Sequence, residues 1–204
     1  MSRIRFKQRR PGQRAVSRGG VPRPVEVVKA EADTPLDAVT CEGMASLEDV
    51  RELIGSLIGE NPPMKKAIMP TLSDRGPFAY AAYRDDQGAL GAAIVCELEV
   101  AASMSAALTL VSPEVCREVV QSGKMDDATS ENFQEVMNIC TQMVRVPGAS
   151  RVTLGETQQT AEGLTQDMKD LMRDAEYRIA FHVEIPNYDS GRLALFIKKT
   201  GTMN

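Results

Sequence analysis

Two pairs of strand-length segments, each closed by a short polar connection, limit what this chain can fold into more than any other feature. Residues 78–84 and 89–97 are largely apolar and rich in Ala, and Asp85-Asp86-Gln87-Gly88 joins them. Residues 177–185 and 193–199 alternate polar and apolar side chains around Pro186-Asn187-Tyr188-Asp189-Ser190-Gly191. Each pair reads as a β-hairpin. A parallel crossover needs a connection of a dozen or more residues, so these strands run antiparallel. The expected class is therefore α/β in the α+β sense: a mostly antiparallel sheet with helices packed on it. No G-x-G-x-x-G, Walker A loop or G-x-S-x-G is present to suggest a nucleotide fold or a serine hydrolase.

The helices are legible from capping residues and apolar spacing. Ser46-Leu47-Glu48-Asp49 opens a helix whose Val50, Leu53, Ile54, Leu57 and Ile58 share one face, and Asn61-Pro62-Pro63 ends it. Residues 98–111 favour a helix through their Ala and Met content, although 106–111 would also suit a strand. Ser112-Pro113 starts a short helix that stops near Gly123. Asp126 and Asp127 precede another, from about residue 130 to 144, which ends before Pro147-Gly148. A last helix is expected within 158–173, through Ala161, Leu164, Met168, Leu171 and Met172. No internal repeat is visible.

Charge divides the chain. Residues 1–29 carry nine Lys and Arg against the single acid Glu26. The net charge of the whole chain is −4, so the +8 of this segment leaves −12 for the rest. Interrupted by Pro11, Pro22, Pro24 and Gly19-Gly20, the segment has too little apolar content to fold alone. Residues 1–34 are therefore expected to form a basic, flexible arm able to contact an acidic surface, and residues 35–204 a single domain. Trp is absent and aromatics make up 4% of the chain, which leaves Ala, Val, Leu, Ile and eleven Met to fill the core.

Cys41, Cys96, Cys116 and Cys140 are widely spaced, without C-x-x-C, and there is one histidine, His182, in a strand-like run. This suits reduced thiols in a cytoplasmic protein and argues against zinc or iron–sulfur ligation. No apolar run reaches the length of a membrane span.

One segment carries a chemical pattern. On a helix, Phe133, Val136, Met137, Cys140 and Val144 fall on one side. Glu131, Glu135, Asn138 and Gln142 form a narrow polar band opposite. Glu135 and Asn138 are then neighbours one turn apart, facing solvent. A carboxamide both donates and accepts hydrogen bonds, so it can hold a water in line with a phosphorus atom without a perturbed pKa. Positioning is most of what hydrolysis of a metal-activated acyl phosphate requires. A second Glu-x-x-Asn, Glu184 to Asn187, falls at a strand end and lacks this setting.

Glu135-x-x-Asn138, on a helix that follows a hairpin, a small-residue segment and an acidic linker, resembles the signature helix of the CheC/CheX/FliY family of chemotaxis phosphatases. The resemblance covers residues 35–199 in arrangement and about a dozen residues in motif. It implies a phosphatase acting on the aspartyl phosphate of a CheY-type response regulator. Asn138 would orient the attacking water and Glu135 would pair with the regulator's active-site lysine. Glu131 and Gln142 would meet the partner, which brings its own Mg²⁺, so no cofactor of this chain is implied. The alternative is a non-catalytic relative that docks a receiver domain or a flagellar-switch partner on the same face. The helix at 46–59 has no Glu-x-x-Asn, leaving the one-motif, CheX-like pattern, which in the family goes with a homodimer.

Overall fold

The computed structural model describes residues 45–71, 76–159 and 164–198. The basic arm expected over 1–34, Cys41 and Ala161 lie outside them. The first helix, α1 (Leu47–Ile58), starts on a reciprocal cap: Ser46 Oγ accepts from Asp49 N at 3.1 Å, and the Asp49 carboxylate accepts from Ser46 N at 2.7 Å. It stops at Gly59, whose φ of 79° would strain other residues.

The short strand β1 (Met64–Lys66) follows, then the first expected hairpin, β2 (Phe78–Asp85) with β3 (Leu90–Glu97). The carboxylate of Asp85 accepts from both Gln87 N and Ala89 N at 2.9 Å, and Gly88 supplies the left-handed residue of the turn. Residues 98–109 are helical as favoured, forming α2 (Leu98–Thr109). Nearly every side of α2 is buried, down to Ser103 and Ser105, so its small residues allow close packing against α1 and two further helices, α3 (Pro113–Ser122) and α4 (Asp127–Cys140).

A single 3-10 turn, Thr141–Met143, leads on to β4 (Val152–Gln159), α5 (Gln166–Asp174), β5 (Tyr177–Glu184) and β6 (Ser190–Ile197). Two strands go beyond the sequence reading. β1 has only three residues, and β4 is a half-exposed edge strand of largely polar residues, without the apolar alternation that marks a strand. The last helix is shorter than the expected 158–173: residues 158 and 159 belong to β4, and the helix begins after Thr165, whose hydroxyl accepts from Met168 N at 3.3 Å.

The sheet order is β1-β5-β6-β3-β2-β4, with every neighbouring pair antiparallel. Exchanging β1, β2 and β3 for β4, β5 and β6 reverses this order onto itself. The topology thus has a pseudo-twofold axis between β3 and β6 that no sequence repeat announces. On one face, Ala81, Tyr83, Ile94, Cys96, Leu193 and Leu195 share a core with the first four helices. On the other, Tyr80, Val95 and Phe196 pack against Met168, Leu171 and Met172 of α5. Glu97, at the start of α2, binds both the backbone N–H and the guanidinium of Arg192 at 2.7 Å, joining the helix to β6.

Candidate functional site

The helix that carries the Glu-x-x-Asn pair is held at both ends and along one side. Its cap is Asp126, whose carboxylate accepts from Thr129 N at 2.7 Å. Bonding to Thr129 holds the carboxyl of Asp126 below the usual range. Gln159, at the end of β4, secures the same region: its amide donates to Ser130 Oγ at 3.1 Å and its carbonyl accepts from Met125 N at 2.7 Å. Asn132 donates to Thr109 Oγ1 at 3.2 Å, tying the first half of α4 to the end of α2.

At the other end α4 tightens. The N–H of Thr141 bonds to the carbonyls of Asn138 and Ile139, and Val144 N closes the next turn on Thr141 O. The carbonyl of Met137 instead accepts from the buried hydroxyl of Tyr83 at 2.8 Å, a bond from β2 to the last turn of the helix. Phe133, Val136, Met137 and Cys140 fill the interface beneath, as their spacing predicts. Burial pushes the Cys140 thiol up to about 12, so it stays protonated at neutral pH.

Glu131, Glu135 and Asn138 lie on the exposed side of α4. Glu135 and Asn138 stand one turn apart, about 5–6 Å between their Cβ atoms in regular helix geometry. The α-helix ends at Cys140, short of the expected 144, and the 3-10 turn Thr141–Met143 continues it. Gln142 is exposed in the 3-10 turn, where it lines a cleft with Ala45, Asp49, Glu52, Leu53, Met143 and Arg145. Glu131, Glu135 and Asn138 thus lie exposed on α4, and Gln142 lies exposed in the turn that follows it. The other Glu-x-x-Asn splits between the end of β5 and a turn in which Asn187 has a φ of 68°.

The sequence reading missed the residues that hold this face in place. Tyr83 and Gln159 come from strands distant in the chain, and neither carries a local signal of its role. What the arrangement can do chemically is limited and specific. It presents the carboxylates of Glu131 and Glu135 and the carboxamide of Asn138 on an exposed helix face.

No protein-family model matches the chain, and no curated protein matches it in sequence. Solved structures do. A chain of the FliM–SpeE complex from H. pylori superposes with a TM-score of 0.51 at 10% identity, over 74% of this chain and 80% of that one. The chain has a fold of the CheC/CheX/FliY type. Thermotoga maritima FliY gives a TM-score of 0.49 at 10% identity, over 72% of this chain and 81% of that one. The CheX–CheY–BeF3–Mg²⁺ complex from Borrelia burgdorferi gives 0.42 at 13% identity, over 72% and 92%. At these identities the likeness is one of fold. No described helix is long and apolar enough to cross a membrane.

Proposed function

We propose that the exposed face of α4 removes the phosphoryl group from the aspartyl phosphate of a CheY-type receiver domain in the cytoplasm. The observation that carries this reading is the placement of Glu135 and Asn138, both solvent-facing one turn apart on a helix whose ends are fixed, in a fold of this type. In the proposed step the Asn138 carboxamide orients a water against phosphorus. The water oxygen forms a new P–O bond while the bond from phosphorus to the aspartyl oxygen breaks. The aspartate leaves as carboxylate and the water's proton passes to the departing phosphate. Glu135 pairs with a lysine of the receiver, and the Mg²⁺ that neutralises the phosphoryl oxygens is the receiver's own.

A purified phosphorylated receiver should lose phosphate faster with this protein present, and Asn138→Ala should reduce the acceleration by about 10²-fold, as expected when a positioned water is released. Glu135→Ala should act mainly on binding. An acceleration that survives Asn138→Ala would rule the mechanism out. The likeness to a chain found in a protein–protein complex supports a second reading, a docking module without hydrolysis. It would show saturable, phosphorylation-dependent binding with an unchanged rate of phosphate loss.

A further inference from the structure

We infer that Leu110 is a docking contact for the protein that presents its phosphate to Glu135 and Asn138, an assignment that rests on the function proposed above. Leu110 is 89% exposed, more than Ile68 at 84% or Val115 at 39%, the other large exposed apolar residues among those described. Its backbone is also costly. With φ of 56°, it ends α2 in the left-handed region, where α1 and α3 use Gly59 and Gly123. A leucine there gives up the conformational ease of glycine and leaves a large apolar side chain in water, so folding gains nothing evident from it.

Its position relates this cost to the candidate site. The Leu110 N–H bonds to the carbonyls of Ala106 and Ala107, which fixes its backbone. The neighbouring Thr109 accepts from Asn132 of α4, three residues before Glu135. Leu110 therefore stands beside the polar face of α4 rather than on a remote surface. Next to it in the chain, Val111 lines a crevice with Val115, Thr129 and Asn132, which extends the apolar character toward α4. α4 itself carries Asp127, Glu131 and Glu135 and no Lys or Arg. An acidic, amide-bearing face edged by leucine complements a protein surface that offers a cation and an apolar hollow, and it disfavours nucleic acid or an anionic bilayer. The occupant is accordingly the receiver domain that carries the phosphate, with Leu110 seated outside its reacting centre.

The test uses the full chain and the CheY-type receiver domains of the same genome, each phosphorylated with acetyl phosphate in Mg²⁺. Leu110→Gly and Leu110→Asn both suit a left-handed residue, so their melting temperatures should equal or exceed the parent's. Their KM for the phosphorylated receiver should rise roughly tenfold with kcat within about twofold of the parent, the loss expected for truncating an apolar anchor at an interface. Leu110→Met should restore the parental KM. If Asn138→Ala abolishes the acceleration while both Leu110 variants keep the parental KM, the docking assignment fails and the proposed function stands. Lower melting temperatures in Leu110→Gly and Leu110→Asn would assign the leucine to folding and also overturn the inference. If the parent accelerates no receiver at all, the functional reading fails and this one with it.

Discussion

Replacing Tyr83 with Phe tests how the sheet controls the candidate helix. Phe keeps the ring, which is fully buried between sheet and helices, and removes only the hydroxyl that donates to Met137 O at 2.8 Å. That carbonyl lies at the point where α4 gives way to the 3-10 turn, and the N–H of Thr141 is already engaged with Asn138 and Ile139. The variant therefore leaves a buried acceptor unsatisfied, at a cost of roughly 1–3 kcal/mol. For a domain of this size about 2 kcal/mol corresponds to a fall in Tm of about 4–8 °C. Burial holds the Tyr83 phenol well above its ordinary range, so the loss should be the same at pH 6 and pH 8. Thermal unfolding followed by circular dichroism measures it. The control is Tyr80→Phe: this hydroxyl donates to Gln158, a partner on the edge strand that can turn to water, and the change should cost well under 1 kcal/mol. If Tyr83→Phe melts within about 1 °C of the parent, the sheet does not anchor the end of α4 as argued. Because Met137 precedes Asn138, the same variant should also lower kcat for receiver dephosphorylation, with little change in KM.

Other consequences are equally direct. Asp126→Ala removes the cap of α4 and should cost about 1 kcal/mol in urea unfolding at pH 7. The folded-state pKa of Asp126 is lowered, so its contribution is present above the ordinary carboxylate range and disappears as pH falls through the folded value; parent and variant should converge in acid. Cys140 gives the opposite dependence: its thiol is raised from 9.0 to about 12, so stability is intact below pH 9 and declines from there toward 12, and Cys140→Ala should flatten that decline in alkaline urea titrations. Glu97→Ala breaks the half-buried link to Arg192 and should destabilise by roughly 1–3 kcal/mol, with the refolded protein retaining its far-ultraviolet spectrum.

Local chemistry made much of this protein readable in one dimension. A short turn such as 85–88 permits only antiparallel neighbours, and a cap such as Ser46 with Asp49 marks a helix wherever it occurs, because the groups that satisfy each other are a few residues apart. The two hairpins, the helices α1, α3 and α4, the buried stripe from Phe133 to Cys140 and the outward Glu135 and Asn138 follow from signals of this kind, whereas residues 98–111 suited helix or strand until packing decided for α2. The edge strand β4 was hidden because its side chains are half-exposed and polar, so only pairing with β2 defines it. The end of the α-helix at Cys140, short of the expected 144, coincides with a hydrogen bond from Tyr83, 54 residues earlier. The pseudo-twofold strand order and the placing of Leu110 beside α4 belong to the same class. They depend on which surfaces meet once the sheet has formed, and contacts between distant segments leave no periodicity in the chain that makes them.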